Sequence, residues 1–144
     1  MLYIDTSVLL VYTLTQSIEI ERFQITDKFF AKVLSGEITA ATSFYALHEL
    51  YIFALENAPD LKTGNAFGKS ALVKILSTPV NIIPFVSRAE REVLTNKFIA
   101  LKDPSDVPHA IAASAFGCDT IVAYDEHFRD IAHIIPYKTP EDYL

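Results

Sequence analysis

Residues 2 to 14 read Leu2-Tyr-Ile-Asp5-Thr-Ser7-Val-Leu-Leu-Val-Tyr-Thr-Leu14. A short apolar run stops at an acid, and two hydroxyl residues then open a second apolar segment. A Thr or Ser side chain accepts from the free N–H groups of a helix start. The stretch therefore predicts a strand over Leu2 to Ile4, a turn at Asp5 and a helix over Val8 to Leu14. The order recurs near the other end, where Thr120-Ile-Val-Ala123 predicts a strand leading to Asp125. Acids that end two such strands meet in space when the strands are parallel neighbours, and open α/β sheets bind ligands at that edge.

The segments between follow the same plan. Ile20, Phe23, Ile25, Phe29, Phe30, Val33 and Leu34 recur at near-helical intervals, and Gly36 is a natural stop. A strand is predicted over Glu37 to Ala41, and Thr42 or Ser43 then opens a helix from Phe44 to Asn57. That helix is apolar on nearly every side, so it should be buried on more than one face, one of which can belong to another chain. Pro59 ends it. Asp60 to Ser70 reads as an irregular crossing before a helical stretch from Ala71 to Leu76. Asn81 to Pro84 is a third strand, followed by helical periodicity from Val86 to Leu101. Ser105 is the expected N-cap of the next helix, with Asp106 and Pro108 in its first turn and Gly117 as its stop. Ala132 to Pro136 is a short fifth strand, and Pro140 to Leu144 a surface tail. Strands alternating with helices imply βαβ units and a mainly parallel sheet of four to five strands.

The chain has 144 residues, which suits a single domain over 1–144, and 51% hydrophobic with 21% charged residues is a globular composition. The lone Cys118 has no partner for an internal disulfide and fits a reducing compartment, so a cytoplasmic address is expected. The uncharged run from Thr6 to Ile18 falls short of the roughly 18 apolar residues of a membrane span, and no basic segment precedes it as in a signal peptide. A net charge of −6 argues against a broad, sequence-independent grip on phosphates. It leaves room for a nuclease whose bound cations attract the phosphate.

Four acids carry the chemistry: Asp5, Glu49, Asp106 and Asp125. Each alone reads equally well as an acid near a helix start, favoured by the helix dipole. Glu49 resists that reading, because it lies about two turns into an apolar helix, where an unpaired carboxylate is costly. Magnesium and manganese take hard oxygen ligands and keep several waters, so a few convergent carboxylates suit them. The chemistry expected of such a site is metal-assisted hydrolysis, with Asp106 or Asp125 orienting or deprotonating the water. Other motifs fall short. His48, His109, His127 and His133 lack zinc-ligand spacing, and no serine sits in a G-x-S-x-G elbow. Gly64-Asn-Ala-Phe-Gly-Lys-Ser70 has one residue too few between its glycines for a phosphate loop and reads as a solvated loop.

Asp5-Thr6-Ser7, Glu49 within Ala-Leu-His-Glu-Leu, Asp106 within Ser-Asp-Val-Pro-His-Ala-Ile-Ala-Ala, and Ile-Val-Ala-Tyr-Asp125-Glu-His-Phe128 together resemble the PIN domain family, most of all its single-domain VapC-type toxins. The resemblance spans nearly the whole chain. It implies a Rossmann-like, three-layer α/β/α sandwich and a Mg2+- or Mn2+-dependent endoribonuclease acting on RNA. It also implies a homodimer and a small VapB-type antitoxin. Carried over, Asp5, Glu49, Asp106 and Asp125 are catalytic metal ligands, and Thr6 or Ser7 supports Asp5. Lys102 is a candidate substrate contact. The family commonly has Thr or Ser two residues before the last acid, where this chain has Ala123, and Glu126 and Asp130 are alternatives to Asp125. Two rivals are a catalytically silent PIN-like module that binds RNA or protein, and a phosphoacceptor domain. The second would place an acidic pair beside a late-strand lysine, which this chain lacks.

Overall fold

A computed structural model describes residues 1–144. Its five strands are β1 (Leu2–Ile4), β2 (Ala40–Ser43), β3 (Asn81–Ile83), β4 (Thr120–Val122) and β5 (Tyr137–Lys138). They form one all-parallel sheet in the order β3-β2-β1-β4-β5. The helices are α1 (Thr6–Thr13), α2 (Ile20–Leu34), α3 (Phe44–Asn57), α4 (Leu61–Leu76), α5 (Arg88–Lys97) and α6 (Val107–Ala115), with 3-10 turns at Glu126–Ile131 and Pro140–Tyr143.

Alternation along each short strand builds two cores, one on each side of the sheet. Ile4 and Val122 pack with α1, α2, α3 and α4 through residues such as Leu9, Phe30, Leu50 and Ile75. Tyr3 and Ile121 face the other way, towards Ala110 and Ile111 of α6, Phe98, Phe128 and Ile131. The result is the α/β/α sandwich expected of a PIN-like chain. The order of connections reverses between β1 and β4, whose ends pair Ile4 with Val122, so a crevice opens just beyond Asp5.

The structure corrects several boundaries. β2 starts three residues later than expected and runs to Ser43: Glu37 is exposed, while Thr42 is buried by donating to the Ile4 carbonyl at 2.8 Å. Asp60 to Ser70 is no irregular crossing. Asp60 caps a continuous α4, accepting from the Thr63 N–H at 2.7 Å. Its glycines serve the crossing of α4 over α3, since a Cβ on Gly64 would lie 2.9 Å from the Ala54 carbonyl oxygen and 3.0 Å from Leu55 Cα. Ser105 does not cap α6, because its N–H and hydroxyl both donate to Asp103 Oδ1; Asp106 stands at the cap position instead. Ala132 to Pro136 is not a strand. Ile131 and Ile135 are both in the core at a helical spacing of four, and the fifth strand follows at Tyr137. The C-terminal segment is no loose surface tail, for Pro140 is buried and the Tyr143 ring meets Phe29 edge-on with centroids 5.7 Å apart.

Candidate metal centre

Asp5 leaves β1 in extended geometry and serves as the N-cap of α1. Its Oδ2 accepts from the Ser7 N–H at 2.9 Å and from the Ser7 hydroxyl at 2.6 Å. Ser7 Oγ in turn accepts from the Tyr124 N–H at 2.9 Å, tying the end of β4 to Asp5. Ala123, fully buried, brings no hydroxyl, and Ser7 supplies the cross-link between the two strand ends.

Thr6 donates to Glu49 Oε1 at 2.7 Å, and the same oxygen lies 2.6 Å from His109 Nε2. That nitrogen is 3.5 Å from Asp5 Oδ1. On the other side of the crevice His127 Nδ1 lies 3.2 Å from both Asp106 Oδ2 and Asp125 Oδ1. Asp125 caps the following 3-10 turn through the His127 N–H at 2.9 Å. Two histidines thus link the four acids in pairs. Glu126 pairs instead with Arg129 at 3.2 Å on the surface, and Asp130 is exposed. Lys102 is exposed in the loop before Asp103.

Charge crowding is visible in the titration of these groups. Burial, then Asp125 and Asp103, push the Asp106 carboxyl up to about 6. Burial works against the Glu49 carboxylate too, but His109, Thr6 and Tyr45 outweigh it and hold its pKa below the usual range. Burial likewise opposes a charged His109, yet Asp5, Glu49 and Asp106 together raise its pKa. Exposed His127 is raised mainly by Asp125. Tyr45 is pushed up to about 12 by burial and by Glu49.

This donor set fits a divalent cation. No Lys or Arg pairs with any of the four acids, and the only opposing groups within ion-pair distance are imidazoles. The donor atoms close enough to share one ion, within 4.8 Å of one another, are those of Asp103, Asp106 and His127, a set that has only Asp106 in common with the four acids. Hard carboxylate oxygens on a buried floor, open to water on the Asp125 side, are what magnesium or manganese requires.

From the sequence, His109 and His127 are weighed only as zinc ligands and set aside, and Asp103 is given no role. The signal available for His109 was its place three residues after Asp106, one helical turn along an otherwise apolar Ile-Ala-Ala stretch. His127 had none beyond adjacency to Asp125. A groove of about 380 Å³ runs from Thr6 and Glu49 past Leu10, Ile52 and Phe53, and shares Phe53 with a second of about 430 Å³ that reaches Phe67.

The architecture defines a PIN-like α/β fold with an acidic crevice at its switch point. Three solved structures share that fold. VapBC2 from Rickettsia felis, bound to a DNA fragment from its promoter, aligns with TM-score 0.66 at 18% identity over 96% of this chain and 98% of its own. VapC20 of Mycobacterium tuberculosis, a sarcin-ricin loop cleaving toxin, aligns with TM-score 0.67 at 15% identity, covering 94% and 96%. VapBC-1 from nontypeable Haemophilus influenzae aligns with TM-score 0.63 at 15% identity, covering 97% and 98%. The chain therefore has the fold of the VapC toxins. No protein-family model matches the sequence, and neither does any curated protein.

Proposed function

We propose that this chain, one PIN-like domain over residues 1–144, is a Mg2+- or Mn2+-dependent endoribonuclease that hydrolyses RNA phosphodiester bonds as the toxin of a toxin-antitoxin pair. The observation that supports the reading is that Asp5 and Glu49 meet at His109, and Asp106 and Asp125 at His127, beyond the strand ends at the switch point of the sheet, with no Lys or Arg paired to any of them. Shared fold with a toxin that cleaves the sarcin-ricin loop supports RNA as the substrate class.

Asp5, Glu49, Asp106 and Asp125 would hold the ion, with Ser7 fixing Asp5 and Thr6 fixing Glu49. Bound there, a divalent cation lowers the pKa of water and offsets the charge that builds on the phosphate. Asp106 or Asp125 accepts the proton of the attacking water. Asp125, with its side chain 34% exposed, is the acid that solvent reaches more easily. The path needs no covalent intermediate. Lys102, exposed in the loop before Asp103, is the side chain we assign to a phosphate contact.

The groove past Leu10, Ile52 and Phe53 suits an apolar segment of a VapB-type antitoxin, whose Arg would enter the acidic crevice. Two of the fold relatives are VapBC structures, which supports such a partner. Phe44 and Phe85, exposed and packed against each other with centroids 5.2 Å apart, favour a homodimer formed in part through the start of α3. No helix is long and apolar enough to cross a membrane, and the buried lone Cys118 accords with a cytoplasmic setting.

The test is cleavage of a structured RNA pool with Mg2+ or Mn2+, beside EDTA and the Asp5→Asn variant. Cutting that needs both metal and Asp5 supports the nuclease. No cutting, together with no divalent binding by calorimetry, would replace it with a silent RNA- or protein-binding module.

A further inference from the structure

We propose that His109 is the positioning residue for Glu49, holding that carboxylate so that one oxygen alone is presented to a divalent cation. The inference rests on the metal-dependent reading above and adds a residue that reading does not use. It starts from the carboxylate. Glu49 Oε1 can only accept, so His109 Nε2, 2.6 Å away, carries a proton and donates to it. Behind the imidazole, Tyr3 Oη lies 2.7 Å from His109 Nδ1 and 2.7 Å from Ser43 Oγ, which also accepts from the Ala46 N–H at 3.0 Å. These contacts hold the ring from its far side. Tyr3 is fully buried and Ser43 and His109 are each only 2% exposed, so water cannot replace a partner in this chain.

Glu49 Oε1 also accepts from Thr6 at 2.7 Å, so both of its lone pairs are engaged. His109 and Thr6 both take Oε1 and leave Oε2 towards a cation, with Tyr45 the further hydrogen-bonding neighbour of this carboxylate. Asp5 Oδ1, 3.5 Å from the same Nε2, sits on the flank of the imidazole, and the Tyr45 and Phe128 rings restrict its rotation with centroids at 5.0 and 6.4 Å. Outer hydrogen bonds of this kind orient metal ligands and change affinity by about 10- to 100-fold when removed.

The experiment is calorimetric titration with Mn2+, each variant first shown to be folded by metal-free thermal unfolding. His109→Leu is expected to bind Mn2+ about 10- to 100-fold more weakly. His109→Gln, with an amide N–H near the Nε2 position, should recover part of the loss, and Tyr3→Phe, which removes the contact behind Nδ1, should fall between. In a Glu49→Gln background His109→Leu should cost nothing further, because the route through Glu49 is already cut. A folded His109→Leu that binds like the parent protein overturns the proposal. So does the full loss persisting in the Glu49→Gln background. If His109→Leu does not fold, unchanged binding by Tyr3→Phe and a loss in His109→Gln as deep as in Glu49→Gln would overturn it instead. A parent protein that binds no Mn2+ sinks the metal-dependent function itself, and is told apart by needing no variant.

Discussion

Replacing Asp106 with Asn should make the metal-free protein more stable at neutral pH. Burial and the neighbouring Asp125 and Asp103 raise this carboxyl from the ordinary aspartate value of 3.8 to about 6. At pH 7.5 it is ionised in both the folded and the unfolded chain, so the displacement acts as a penalty on the folded state alone, at most about 3 kcal/mol. The sign follows from proton counting. Between about pH 4 and 6 the folded chain binds more protons at Asp106 than the unfolded chain, so stability falls as pH rises through that window, and the loss is complete above it. Asparagine carries no charge and no such loss. Removing the contact with His127 costs little, since that imidazole is 58% exposed. We expect a gain of about 1–3 kcal/mol at pH 7.5, or about 3–9 °C in Tm for a chain of this size, shrinking towards zero at pH 4. Urea unfolding in EDTA at both pH values measures it. Equal or lower stability of the variant at pH 7.5 would refute the idea that like charges crowd this crevice.

Three further outcomes follow from other parts of the structure. Mn2+ affinity should rise with pH through about 6, where Asp106 loses its proton, and go on rising above it while His127, whose pKa is raised, gives up its own; calorimetry from about pH 5 to 8 reads the rise. Gly64→Ala should destabilise the protein by about 1–3 kcal/mol, since its Cβ would press on the α3 backbone at Ala54 and Leu55, which outweighs the better helix propensity of Ala; chemical denaturation checks the sign. Phe128→Ala should cost about 3–5 kcal/mol, measured the same way, because the ring is fully buried beneath His109.

Elements with strong local periodicity were legible from the residues. The span of α2 from Ile20 to Leu34 and that of α3 from Phe44 to Asn57 are as the apolar spacing predicts. Errors arose where a local rule met a tertiary contact. Two glycines four apart, Gly64 and Gly68, argue for a loop, yet they lie inside a helix because α3 passes too close for a side chain; Gly68 faces the Tyr51 ring, whose hydroxyl bonds Asn65. Ser43 caps α3, one of the two residues expected to open it, while Thr42 belongs to the strand, where it donates to the Ile4 carbonyl. Asp5, Glu49, Asp106 and Asp125 stood out by type and position, whereas Tyr3, Asp103, His109 and His127 did not.

Period-two and period-3.6 patterns are properties of neighbouring residues, and so the alternation of strands and helices, the parallel sheet and the acids beyond the strand ends were determined by the sequence itself. What holds those acids is decided by residues far apart in the chain. Tyr3 and His109 are separated by 106 positions, Ser7 and Tyr124 by 117, and Glu49 and His109 by 60. No local pattern encodes such pairs. They exist because the chain reverses its order between β1 and β4, which sets α1, α3 and α6 around one crevice where every buried polar atom must find a partner.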